Sequence, residues 1–210
     1  QSDDTIDFID TGSWSKKAIK EAGKYCQVNV AASSSDSSYD HIPEQAQWQL
    51  TPGAKLLHVC SNETIGGVQF KQFPDSTVPL VADMSSDILS RPVDVDQFGL
   101  IYAGAQKNIG PAGLTVIIVR KDLCGQARTE PPTFLDYAAQ ADADSMSNTP
   151  PTYSWYLAGL VFQWAKAQGG LGAIADHNEA KAKRLYDAID SSNFYTAPVQ
   201  PAVRSTMNVP

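Results

Sequence analysis

The chain has 210 residues, 42% hydrophobic and 19% charged, with a net charge of −7. That length suits one large domain or two small ones and needs no disulfide staples, and the apolar fraction excludes a disordered chain. The acidic balance speaks against nucleic-acid binding, which needs clustered Lys and Arg, and no apolar run reaches the roughly 20 residues of a membrane span.

In chain order, the sequence starts at Gln1 and is strand-like from Thr5 to Ile9. Thr11-Gly12 makes a turn. Ser13 or Ser15 then caps a helix reaching about Lys24, with Ala18, Ile19, Ala22 and Tyr25 as its apolar face. Gln27–Ala32 reads as a strand and the Ser-rich Ser33–Asp40 as a mobile loop. Four compact apolar runs follow: Lys55–Cys60, Val78–Ala82, Leu100–Ala103 and Leu114–Val119. Short apolar runs bounded by turns suit strands buried on both faces of a mainly parallel sheet. After Arg120 the pattern turns helical. Thr149-Pro150-Pro151-Thr152 signals a helix start. Tyr153–Gln168, apolar round most of its circumference, predicts a buried helix stopped by Gly169-Gly170. Leu171–Ile189 is amphipathic, with Ile174, Ala182, Leu185 and Ile189 on its apolar stripe and Glu179–Lys183 as an i,i+4 pair. The predicted fold class is α/β, a mainly parallel sheet flanked by helices. Both ends are read as cut, as in a piece of a longer protein, and QSDDTIDFID carries no signal-peptide pattern.

Polar residues stand directly after the apolar runs, where ligands bind in parallel sheets. Lys107, in AGAQKNIGPAG, is either a solvated loop lysine or, partly buried among small residues, a Schiff-base lysine. Asp83 ends the VPLVA run; it either caps a turn or keeps a pyridinium nitrogen protonated. Trp14 either packs in the core or stacks on an aromatic cofactor. Thr64 is a turn hydroxyl or a partner for a ring oxygen. Gln106, Asn148 and Thr149 are loop polarity or neutral phosphate donors. His41, His58 and His177 lack metal-ligand spacing, so no metal site is expected. Cys26, Cys60 and Cys124, odd in number and without a CxxC pair, read as reduced thiols of a cytoplasmic protein. No GxSxG elbow, P-loop or strand-borne GxGxxG is present.

Six stretches in order, DTGSWSKKAIKEA, SNETIGGVQF, VADMSSDILSRPVDV, FGLIYAGAQKNIGPAGLTVIIVR, SMSNTPPTYSWYLAGLVFQW and RSTMNVP, resemble the phosphoserine aminotransferase family. These are fold-type I enzymes that use pyridoxal 5′-phosphate. AGAQKNIGPAGL and SDILSRP are the most specific motifs, and Ser33–Gln49 matches poorly. The resemblance implies that Lys107 holds the cofactor as a Schiff base and shuttles the α-proton. It implies that Asp83 pairs with the ring nitrogen, Trp14 stacks on the ring, Thr64 approaches the phenolic oxygen and Gln106 binds the phosphate. Asn148 and Thr149 match residues that reach the phosphate of the neighbouring subunit in a homodimer. The implied reaction moves the amino group of glutamate to 3-phosphohydroxypyruvate. Residues 1–195 would form part of the cofactor-binding large domain and 196–210 the start of a small domain. The family's Gly-rich phosphate turn and substrate arginines have no counterpart in these 210 residues. A non-catalytic fragment, or another fold-type I enzyme, therefore stands as the alternative.

Overall fold

Six short runs rich in β-branched and apolar residues pair into one sheet: β1 (Thr5–Asp10), β2 (Gln27–Ser33), β3 (Leu56–Cys60), β4 (Leu80–Asp83), β5 (Leu100–Gly104) and β6 (Thr115–Val119). The computed structural model describes residues 3–128 and 131–210. The strand order is β2-β1-β3-β4-β5-β6. Every neighbouring pair is parallel except β5 and β6, which are antiparallel. The first five strands therefore end at one edge of the sheet, and the mainly parallel α/β fold is as expected. Among the described residues four α-helices complete it: α1 (Ser13–Ala22), α2 (Tyr137–Asp142), α3 (Thr152–Ala167) and α4 (Gly170–Asp190).

The two sheet faces differ in chemistry. Register puts Leu57 beside Leu80, Val59 beside Ala82 and Ala82 beside Ile101. With Ile9 and Ala103 these make the apolar core, packed against Phe70, Met84, Ile88 and Phe98 from the strand-end loops. Each Val, Leu, Ile, Met or Phe side chain among them, once buried, contributes about 1.5–3 kcal/mol, and the alanines less. The opposite face carries Phe8 beside His58, and Cys60 beside Asp83 beside Tyr102.

Several local expectations are corrected. β6 is an edge strand with its residues half-buried or exposed; among the described residues only β5 pairs with it. The Ser33–Asp40 segment is not a loose loop. It contains a 3-10 turn at Ser35–Ser37, and Ser33 and Tyr39 hydroxyls donate to Asp10 at 2.8 and 3.0 Å. Tyr25 lies beyond α1 and is exposed. α3 buries only Ala158 and Ala165, while Tyr153, Tyr156, Leu160, Phe162 and Trp164 are exposed. The described residues cover its small side chains fully and Trp155, Leu157 and Val161 only in part. In α4 the buried stripe is Asn178, Ala182 and Tyr186; Leu185 is exposed. Lys183 pairs forward with Asp187 at 2.7 Å, not back with Glu179. Asp187 sits at the same spacing on the other side and captures the ammonium.

Candidate active site

The site is built at the edge where β1, β3, β4 and β5 all end. Gly12 precedes α1 and cannot cap it with a side chain. Glu63, three residues past β3, does so instead. Its fully buried carboxylate accepts from Trp14 N at 2.9 Å and Ser15 N at 2.8 Å. A carboxylate against a helix N-terminus satisfies orphan amides and meets the positive end of the helix dipole. The approach is so close that a Cβ on Gly12 would lie 2.6 Å from Glu63 Cδ. Glu63 thus ties the position of Trp14 to that of its own neighbour, Thr64.

Lys107 enters from the loop after β5. Its Nζ donates to Thr64 Oγ1 at 2.7 Å and stands 4.4 Å from the centroid of the Trp14 ring. Lys17 Nζ stands 4.2 Å from the same ring. Lys107 is exposed, where partial burial among small residues was expected. Gln106, also exposed, folds back over Gly104, where a Cβ would meet the side-chain amide at 2.8 Å.

Asp83 closes β4 and is half-buried. Its Oδ1 accepts from Ser85 N at 2.9 Å and Ser85 Oγ at 2.6 Å. Ser85 Oγ in turn accepts from Gly104 N at 3.1 Å, linking the β4 and β5 ends. Asp83 is therefore a turn residue as well as a candidate ligand group. Beside it, burial raises the Tyr102 phenol well above its usual range, and the Asp83 charge adds to this. Burial pushes His58 from 6.5 down to about 4, so it is neutral at pH 7.

The loop bearing Glu63 and Thr64 is itself clamped. Asp87, buried, accepts from Ser61 Oγ and from Gln69 Nε2 at 3.1 Å, and burial raises its carboxyl. Arg91 donates to the carbonyls of Phe70 and Lys71 at 2.5 and 2.9 Å. The SDILSRP motif therefore holds the loop from below. The segment near Ser205 holds its other side: Gln69 N donates to Val203 O at 2.8 Å, and Asn62 Nδ2 to Asn208 Oδ1 at 2.7 Å.

The fold brings Trp14, Thr64 and Lys107 into contact and sets Asp83 and Gln106 on the same edge. Asn148 and Thr149 do not join them; both are exposed on the segment before α3. Sequence reasoning missed Glu63, Ser85 and Tyr102. The only signal for Glu63 was an acidic residue at a strand end in a chain whose first helix has glycine in the cap position.

A family model described as "Aminotransferase class-V" matches residues 1–210. The chain belongs to the class-V aminotransferase family. A phosphoserine aminotransferase of Pseudomonas aeruginosa is 61% identical over 209 residues, which are 99% of this chain and 58% of that protein. The solved phosphoserine aminotransferase of Bacillus circulans subsp. alkalophilus superposes with TM-score 0.96 at 48% identity, covering 100% of this chain and 58% of that one. The structure of the PLP-bound enzyme from Trichomonas vaginalis gives TM-score 0.94 at 39% identity, over 100% of this chain and 59% of that one. The chain thus spans 58% of the length of this curated relative. Among the described residues no helix is long and apolar enough to cross a membrane.

Proposed function

We propose that this class-V aminotransferase chain is the cofactor-binding part of a phosphoserine aminotransferase. The complete protein would transfer the amino group of glutamate to 3-phosphohydroxypyruvate, using pyridoxal 5′-phosphate. The observation that carries the reading is the Lys107 amine held 2.7 Å from the Thr64 hydroxyl beside the Trp14 ring. The donor set fits the cofactor: an aromatic face, an amine for its aldehyde, a hydroxyl for its ring oxygen and a carboxylate for its ring nitrogen. In this reading residues 1–195 supply the cofactor-binding domain and 196–210 lead into the next.

When bound, pyridoxal phosphate supplies an electron sink for the charge left as an α-proton departs. The side chains have separate tasks. Lys107 Nζ would hold the cofactor covalently until the substrate's amine displaces it, and the freed amine would then take the α-proton and return it; its exposure leaves it free to reach substrate. Asp83 keeps the ring nitrogen protonated by placing a negative charge beside it. Trp14 covers one ring face and excludes water from it. Thr64 holds the phenolic oxygen, and Gln106 donates to the phosphate. Asn148 and Thr149 reach the phosphate of the partner subunit in a homodimer, which accords with their exposure here.

A coupled glutamate assay on the full-length protein tests the activity. The expected result is 3-phosphohydroxypyruvate-dependent formation of 2-oxoglutarate, and its absence from cofactor-loaded enzyme contradicts the proposal. The same assay on residues 1–210 alone is expected to show no turnover, since the substrate arginines of the family have no counterpart there.

A further inference from the structure

His58 is a buried titratable group that the proposed reaction leaves unused. It is 5% exposed, stacks against Phe8 with centroids 4.8 Å apart, and its Nδ1 is buried with no hydrogen-bond partner among the described residues. Its Nε2 lies 2.9 Å from the Tyr102 hydroxyl. Tyr102 sits directly opposite Asp83 in the β4–β5 register, on the same face of the sheet.

The unpartnered Nδ1 fixes the direction of these bonds. A buried N–H without an acceptor costs more than a bare lone pair, and true orphan N–H groups are rare. The single proton of neutral His58 therefore belongs on Nε2, which donates to the Tyr102 oxygen. The phenol has one proton of its own, and with its oxygen already accepting, that proton is free for the Asp83 carboxylate. The negative charge of Asp83 helps keep it on the phenol.

We propose that Tyr102, oriented by His58, is a positioning residue for Asp83: a one-way donor chain, His58 Nε2–H to Tyr102 O–H to carboxylate, fixes the group that would meet the cofactor's ring nitrogen. This rests on the function proposed above and adds two residues to it. The chain does more than orient. Donors to a carboxylate stabilise its anion and weaken its pull on a shared proton. Tyr102 and Ser85 together therefore keep the proton on the ring nitrogen rather than on Asp83.

The test uses full-length protein and nitrogen-15 spectra. In cofactor-free protein at neutral pH, the His58 ring is expected with a proton on Nε2 and none on Nδ1. A proton on Nδ1, or on both, overturns the chain. With ring-labelled pyridoxal phosphate bound, Tyr102→Phe should move the ring-nitrogen signal toward that of an unprotonated pyridine. His58→Phe should move it less, in the same direction. His58→Gln, which keeps an N–H at that depth, should restore it. Tyr102→Phe differs by one oxygen atom. If it lowers thermal stability while leaving the ring-nitrogen signal where wild type has it, Tyr102 is merely structural and the inference fails. A wild type that takes up no cofactor, yet shows the Nε2–H form, overturns the functional reading and leaves the donor chain standing.

Discussion

Around the ends of β3 and β4, Ser61, Asn62, Glu63, Gln69 and Asp87 are polar and buried, at 0–4% exposure, and each has a named partner. From Phe134 to Trp164 the situation is reversed. Phe134, Tyr153, Tyr156 and Trp164 are large, apolar and exposed. The first region is closed on itself: buried polar groups are expensive unless bonded, so their mutual bonds fix one arrangement. Thr64 and Trp14 inherit that precision through Glu63. The second region presents apolar area and the phosphate candidates Asn148 and Thr149 to its outside. Site residues in the first region should be set by this chain's own contacts, and those in the second by surfaces brought to it.

The largest expected effect lies in the first region. Lys107→Ala in the full-length enzyme should lower transamination by about 10²–10⁴-fold, the usual range for a lost acid–base group. A single-turnover assay with glutamate checks this, and a loss under tenfold would move the chemistry elsewhere.

Next is the polar sheet face. Burial lowers His58 from 6.5 to about 4. The folded state thus accepts its proton later than the unfolded chain does. Stability from neutral His58 is full above pH 6.5 and is lost as pH falls toward 4, by about 3 kcal/mol. Urea unfolding across that window should show the wild type losing this much more than His58→Gln. Equal slopes in the two proteins would contradict the burial account.

Glu63→Ala should cost about 1–3 kcal/mol, because two helix amides lose their acceptor. Thermal unfolding reads the loss. Trp14 fluorescence should change with it if Glu63 is what couples the ring to Thr64.

The smallest effect belongs to the second region. Thr149→Ala removes one hydroxyl donor to the phosphate, about 0.5–1.5 kcal/mol, and should weaken cofactor binding roughly twofold to tenfold. It should do so only at protein concentrations where the homodimer forms. The same weakening in dilute monomer would place Thr149 at its own subunit's site and erase the contrast between the regions.

The contrast also explains what was legible in the sequence. Apolar runs such as Leu56–Cys60 and Leu100–Gly104 are readable because β-propensity and burial act within a few residues. Polar residues at strand ends follow from parallel topology, so Asp83, Thr64 and Lys107 stood out. Glu63 and Tyr102 did not, since their roles arise from partners distant in sequence: Trp14 N is 49 residues from Glu63, and His58 is 44 from Tyr102. The misreading of α3 has a related cause. Helical periodicity marks an apolar surface, but not whether the same chain covers it.

Covalent attachment of the cofactor at Lys107 can be read directly. Full-length protein loaded with pyridoxal phosphate is reduced with borohydride, digested and mapped by mass spectrometry. A single phosphopyridoxyl adduct is expected, on the peptide containing Lys107, and none in Lys107→Ala. An adduct on Lys17 or any other lysine, or no adduct on cofactor-saturated protein, would contradict it.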